Sequence, residues 1–454
     1  MSTDDIGFDI GFATAQIHAG QDRRAAHGSR VVPIHLASGF AFDDFDQARD
    51  RFSGADDGYS YTRMGNPTTA AVERKLAALE GGREALLVGS GQAALTVALL
   101  GLLRSGDHLV SSRHIYEGSR GLFRENLAGF GIQVSFVDDI DDADAWRAAV
   151  RPETRAFFGE SIANPRNQVL DVPLVSAVAH EAGVPLIVDN TFATPYLHRP
   201  LEWGADLVVH STSKFLSGHG AALGGTVIEG GSFAWSSDAA RWPQLDRVTH
   251  GDHAYFVHLR NTIAGRLGPT IAPFNAFLLQ QGIETLSLRV ARHSANALEV
   301  ARWLQEQPEV ASVDYVGLES SAWHATARRL FARGDGSVFA FTVAGGQPAA
   351  AALIERLELF SHMSHLGDVR SLIMHPTTTS HARLSDEERT QLGIEPGMLR
   401  VSIGIEDAAD LIRDLRAGLD AAAEATSTSR GSTPSDTAQT TRRAVLQHAA
   451  IARG

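Results

Sequence analysis

Of the chain's 40 lysines and arginines, two are lysines, Lys75 and Lys214, and the other 38 are arginines. Arginine serves as well as lysine on a solvated surface, but it stays protonated and cannot condense with an aldehyde. In a chain so depleted, each remaining lysine needs its own explanation. Lys214 lies in HSTSKFLSGHG, just past the apolar run DLVVHS, with hydroxyl neighbours and no acidic partner close in sequence. Ligands gather beyond the carboxyl ends of strands in α/β sheets, so an amine there is placed to react. Lys75 lies in AAVERKLAALE beside Glu73, Arg74 and Glu80. The expectation there is a solvated helix face with local charge pairing.

Asp189 ends PLIVDN, the most apolar run of the chain. A carboxylate there is costly to bury unless a cation faces it. A protonated pyridine nitrogen is such a cation, and an aspartate opposite it keeps the ring protonated as an electron sink. The plainer alternative is an aspartate that caps the following turn through Thr191. Gly89-Ser90-Gly91-Gln92-Ala93-Ala94 follows a short strand and opens a helical run from Gln92 to Leu103. Such a start offers backbone N–H groups and the helix dipole to a phosphate. It also fits G-x-G-x-x-A, which calls for an acidic residue about 20 positions on. Ser111-Ser112-Arg113-His114 ends the next strand instead, which disfavours a nicotinamide dinucleotide. Ser211 and Ser213 flank the lysine at alternating spacing, suited to one phosphate. Tyr61 and Arg63, in YSYTRMGNPT, project to one side of an extended segment, and arginine matches phosphate oxygens well. A condensing amine, a pyridine-facing carboxylate and a phosphate cradle together describe pyridoxal phosphate held on Lys214.

The elements that must position these groups follow from the apolar pattern. Residues 1–64 read as an irregular N-terminal arm. From 65 to 265, helical patterns alternate with short apolar runs at 86–88, 108–112, 133–137, 155–159, 185–189, 206–211 and 224–229. Runs apolar on both faces and separated by helices predict a mainly parallel seven-stranded sheet covered by helices. A long helical stretch over 273–306 leads into a smaller C-terminal α/β domain, residues 266–425. Its strands are expected near 310–316, 337–343, 371–374 and 399–404, with a closing helix at 407–424. Residues 426–454 lack the apolar content to fold and read as a disordered tail, with a helical turn or two near Ala444–Ala450.

Composition removes other classes. The chain has 454 residues, 44% hydrophobic and 20% charged, as in soluble globular proteins. No apolar run is long enough to span a bilayer, and the N-terminus lacks a secretory pattern, so a cytoplasmic location is expected. Absence of cysteine excludes disulfides and thiolate chemistry. A formal charge of −13 argues against nucleic acid or an anionic membrane as partner. His250, His253 and His258 have no carboxylate at metalloprotease spacing, so no metal site is expected.

YSYTRMGNPT, VGSGQAAL, ESIANP, VDNTFATPYL, HSTSKFLSGHG, APFNAFLLQQGIETLSLR, LIMHPTTTSH and LRVSIGIED occur in that order. Together, from about residue 12 to 424, they resemble the Cys/Met-metabolism pyridoxal-phosphate family of γ-synthases, γ-lyases and sulfhydrylases. The resemblance implies an aspartate-aminotransferase-like fold, type I, and a homotetramer built as a dimer of dimers with shared active sites. It makes Lys214 the cofactor-bearing catalytic lysine and Asp189 the partner of the ring nitrogen. Ser90, Gly91, Gln92, Ser211 and Ser213 surround the phosphate, and Thr191 joins the cofactor-binding set. Tyr61 and Arg63 reach the phosphate of a neighbouring subunit. Tyr116, in HIYEGS, stacks on the ring and serves as acid or base. Asn164 and Arg400 hold the substrate's α-carboxylate, and His365 stands near it where relatives often carry Ser or Asn. The usual Tyr-Gln-Thr-Thr-Ser-Tyr run appears as His35-Leu36-Ala37-Ser38-Gly39-Phe40, and HPAS as His375-Pro376-Thr377-Thr378. LGPTIAPFNAFLLQQGIETLSLR is most similar to the sulfhydrylase branch. That implies γ-replacement on O-acetylhomoserine with sulfide or methanethiol. A γ-lyase, a cystathionine γ-synthase and a non-catalytic family member are the alternatives.

Overall fold

The computed structural model describes residues 10–21, 28–235 and 240–431. Seven strands form the larger sheet: β1 (Glu84–Val88), β2 (His108–Ser112), β3 (Gln133–Val137), β4 (Thr154–Glu160), β5 (Leu186–Asp189), β6 (Leu207–Ser211) and β7 (Gly225–Glu229). Their order is β1-β7-β6-β5-β4-β2-β3. Only β7 runs against its neighbours, pairing antiparallel with both β1 and β6. The central strands β5 and β6 are Leu186, Ile187 and Val188 beside Leu207, Val208 and Val209, all buried. A strand covered on both faces has no polar side to show, which is why these runs stand out in the sequence. At their carboxyl ends, Glu160 pairs with Asp189 across β4 and β5. The loops that follow carry Asn164, Thr191 and Lys214 to the same edge of the sheet.

The smaller sheet contains β8 (Val310–Asp314), β9 (Val338–Val343), β10 (Ser361–His362), β11 (Leu372–Met374) and β12 (Met398–Ser402), in the order β10-β11-β12-β9-β8. The two-residue β10 is too short to leave an apolar pattern. Arg400 sits on β12 between Met374 and Ala340 of the flanking strands. The helical stretch expected over 273–306 is two helices, Pro273–Ile283 and Leu286–Gln305. The closing helix, Ala408–Gly431, runs into the stretch read as tail. Its remainder, with the turns expected near Ala444–Ala450, lies outside the described residues. No described helix is long and apolar enough to cross a membrane.

The described part of residues 1–64 is less irregular than its sequence suggests, for it contains α1 (Phe12–His18) and α2 (Phe45–Ser53). Asp44 caps α2 by accepting from Gln47 N at 2.8 Å. The larger correction concerns α3 (Pro67–Glu80), expected to show a solvated face. Ten of its fourteen residues are buried, Glu73, Lys75 and Glu80 among them, and Arg74 alone of its charged residues is exposed. Each buried charge has a distant partner. Glu73 accepts from Leu87 N at 2.9 Å and pairs with Arg260 at 2.9 Å. Glu80 lies 2.5 Å from His210 Nε2. Lys75 Nζ donates to the carbonyls of Gln16 at 2.7 Å and Ile17 at 3.0 Å, and lies 3.5 Å from Glu284. Those carbonyls belong to the last turn of α1, so the lysine closes a helix end that has no further amides of its own. Burial holds the Lys75 pKa below its usual value, with Glu284 acting against the shift.

Candidate active site

A cavity of about 240 Å³ opens at the carboxyl ends of β4, β5 and β6. Twelve of the expected site residues outside Tyr61 and Arg63 line it: Ser90, Gly91 and Gln92 from the turn after β1; Tyr116 and Asn164 from the loops after β2 and β4; Asp189, Thr191, Ser211, Ser213 and Lys214 from β5, β6 and their loops; and His365 and Arg400 from the smaller sheet's side.

The phosphate end is built from α4 (Gly91–Leu102). Ser90 is its N-cap and accepts from Ala93 N at 3.1 Å, leaving the amides of Gly91 and Gln92 at the helix start. A Cβ on Gly91 would lie 2.6 Å from Ser211 Cβ, so the helix start and the end of β6 meet only because this residue is glycine. The hydroxyl of Ser213 is committed to its own loop, accepting from Gly224 N at 3.0 Å and donating to Gly224 O at 3.2 Å. Lys214 is braced from behind. Arg289, buried, donates to the carbonyls of Phe215 at 2.8 Å and Gly282 at 2.7 Å.

Electrostatics divide the cavity. Asp189 Oδ1 accepts from both Thr191 N at 2.9 Å and Thr191 Oγ1 at 2.5 Å. Burial pushes its pKa up, while Thr191 and the nearby His210 favour the charge. Beside it, burial and the charge of Asp189 push Glu160 well above the ordinary carboxyl value. Both carboxyls are thus held above their ordinary values by burial, and Asp189 is the one that Thr191 and His210 draw back toward the charged form. Glu160 accepts from Tyr116 N at 2.6 Å, which fixes the loop that presents the tyrosine. Also in the lining, Lys214 is lowered to about 8 by burial first and Arg400 second. Its Nζ lies 3.1 Å from Nδ1 of His365. Arg400 is lowered to about 10 by burial and donates to His365 O at 2.9 Å.

Tyr61 and Arg63 do not line this cavity. The Arg63 guanidinium lies 5.4 Å over the Tyr61 ring and donates to Gly265 O, and Tyr61 is half exposed. Two residues of the site escaped sequence reasoning. Glu160 carries the same signal as Asp189, a carboxylate ending an apolar strand, and that argument extends to it. Arg289 lies 75 residues from Lys214 within a long helix, and no local pattern marks its contact with the loop.

Amine, buried carboxylate and helix-start amides around one cavity define an enzyme that holds a phosphorylated pyridine aldehyde. The chain belongs to the Cys/Met metabolism PLP-dependent enzyme family, whose model matches residues 13–420. It is 43% identical over 421 residues to an O-acetyl-L-homoserine sulfhydrylase of Corynebacterium glutamicum, covering 90% of this chain and 96% of that one. A sulfhydrylase of the same name from Leptospira meyeri is 40% identical over 424 residues, covering 89% and 96%. A crystal structure of a candidate O-acetylhomoserine (thiol)-lyase from Campylobacter jejuni, carrying N'-pyridoxyl-lysine-5'-monophosphate, superposes with a TM-score of 0.86. That chain is 34% identical, and the match covers 90% of this chain and 100% of that one. The fold is thus the type I, aspartate-aminotransferase-like α/β fold expected from the sequence, and the cofactor is pyridoxal phosphate.

The residues present fit that group. The Gly91 cradle has no room for a side chain beside Ser211. Asn164 Oδ1 and Arg400 Nε are buried without a protein partner, as expected of polar groups kept for a ligand.

Proposed function

We propose that the enzyme performs γ-replacement on O-acetyl-L-homoserine, exchanging acetate for sulfide or methanethiol to give homocysteine or methionine. The observation that carries the reading is Lys214, a half-buried amine with a pKa near 8, facing Arg400 across a cavity that holds the cofactor-binding groups. Pyridoxal phosphate, when bound, supplies an aldehyde that condenses with amines and a ring that withdraws electrons from the carbon bearing the amine.

The rest falls to the chain's own residues. The amides of Gly91 and Gln92, with Ser90 and Ser211, hold the phosphate; Asp189, oriented by Thr191, faces the ring nitrogen; and Tyr116 stacks on the ring. Arg400 and Asn164 hold the substrate's α-carboxylate, which sets Cα and Cβ within reach of Lys214. With a pKa near 8, roughly a quarter of such amines are neutral at about pH 7.5, enough for Lys214 to serve as a base. Lys214 takes the proton from Cα and assists removal of one from Cβ. Acetate then leaves from Cγ, the thiol adds there, and the protons return to carbon.

Tyr61 and Arg63 complete the phosphate site of a neighbouring subunit in a homotetramer of dimers. Their place outside the cavity of their own chain supports this, as does the exposure of Tyr61.

The test is a product assay with O-acetylhomoserine, with and without sulfide. Homocysteine formation that requires sulfide is the expected result. Release of 2-oxobutanoate at the same rate with or without sulfide would instead make the enzyme a γ-lyase.

A further inference from the structure

Among the described residues, no carboxylate lies within ion-pair distance of Lys214. Its partner is a histidine. Nζ sits 3.1 Å from Nδ1 of His365, a residue 151 positions away in the chain. An ammonium has three N–H donors and no acceptor, so the imidazole must accept at this contact and must be neutral to do so. Its surroundings keep it neutral. Burial first, then the charges of Lys214 and Arg400, hold its pKa down to about 4, with Asp368 acting in the other direction. Those three are the charged groups that face the ring, from the loop after β6, from β12 and from its own segment. With Nδ1 accepting, the ring proton lies on Nε2, which is buried and has no partner. The main chain is held as well, since Arg400 donates to His365 O at 2.9 Å and to Ser364 O at 3.4 Å. The guanidinium assigned to the substrate's carboxylate therefore also fixes the residue that holds the base.

We propose that His365 is a positioning residue for Lys214: its Nδ1 holds the amine by one N–H, fixes the rotamer from which Nζ reaches the substrate, and stabilises the ammonium while Lys214 carries a proton. The imidazole itself gains and loses no proton. Lys214 becomes an ammonium when it takes a proton from carbon and returns to the amine when it gives one back, and His365 accepts the same hydrogen bond in both states. The inference rests on the proposed role of Lys214 as the proton carrier.

A chain with two lysines gives an unusually direct test. Protein grown with lysine 13C-labelled at Cε shows two lysine resonances, and Lys75→Met identifies the one from Lys214. Loading with pyridoxamine phosphate, which has no aldehyde, keeps the amine free while the coenzyme's ring and phosphate are in place. In His365→Phe the Lys214 midpoint is expected to fall by about one pH unit, the difference between that hydrogen bond given by an ammonium and given by a neutral amine. His365→Asn supplies an amide oxygen and is expected to restore the midpoint to within about half a unit. Turnover should follow, with kcat lowered in the Phe variant, KM little changed and kcat recovered in the Asn variant. His365→Leu gives the same comparison if Phe disturbs packing. A midpoint unchanged in the apolar variants, or equal in Asn and Phe, overturns the proposal. The titration uses no substrate, so a failure of the sulfide assay alongside the expected shifts would count against the substrate reading and leave His365 in its role.

Discussion

Replacing Lys75 with methionine separates the two lysines by what each does. In the wild type, Nζ closes the end of α1 through Gln16 O at 2.7 Å and Ile17 O at 3.0 Å. Methionine fills most of the volume but donates nothing. Ile17 O keeps a second donor, Gln21 Nε2 at 3.0 Å, so the main loss is at Gln16 O. Leaving one buried carbonyl without its donor costs about 1–3 kcal/mol. The cost of burying an ammonium disappears at the same time, which keeps the net effect at the lower part of that range. A seven-residue helix cannot stand without tertiary support, so the loss falls first on local opening of α1. Amides near 14–19 should exchange about 5- to 30-fold faster in the holoenzyme, the equivalent of about 1–2 kcal/mol. The adduct formed on Lys214 by borohydride reduction should remain, and turnover should stay within a few-fold of wild type. Unchanged exchange over α1 would refute the clamp. Loss of the Lys214 adduct in a folded variant would refute the separation of roles.

Gly91→Ala forces a methyl against Ser211 and should weaken coenzyme binding about 5- to 150-fold by absorbance titration, whereas Gly129→Ala, with open space around its Cβ, should not. Arg289→Met leaves the carbonyls of Phe215 and Gly282 unpaired and should cost about 2–4 kcal/mol in denaturant unfolding, with Arg289→Lys recovering only part. Glu160 has a folded pKa well above its ordinary 4.5, so its contribution to stability is full below about pH 4.5 and is lost as pH rises through the folded value. Glu160→Gln keeps an acceptor for Tyr116 N and removes that loss. Its melting temperature without coenzyme should therefore rise relative to wild type as pH increases above about 5, and a difference that stays constant with pH would refute the raised Glu160 pKa.

The sheet was legible because parallel strands covered on both faces spell continuous apolar runs. Asp189 and Lys214 were legible for a related reason: a charge at the end of such a run stands against its background. The face of α3 was not legible. Glu73, Lys75 and Glu80 look like a solvated pattern at helical spacing, and what buries them are partners 187, 209 and 130 residues away, Arg260, Glu284 and His210. Nothing local distinguishes a charge paired with water from one paired across the core. The same limit hid the contact between His365 and Lys214, each in an ordinary loop of its own.

Depletion of lysine sharpens what the two remaining ones mean. Many of the described arginines lie in exposed or half-exposed pairs, such as Arg49 with Asp46 and Arg147 with Glu181, where a guanidinium serves as well as an ammonium. At position 75 the exchange fails on shape: the side chain is about 1% exposed, and the backbone of Gly20 packs directly on that of Lys75. A compact ammonium meets two carbonyls there, and a planar fork of five donors would leave several unpaired. At position 214 the exchange fails on chemistry, because a group that must be neutral part of the time cannot be one that never gives up its proton. One lysine is retained for its small size and the other for its pKa.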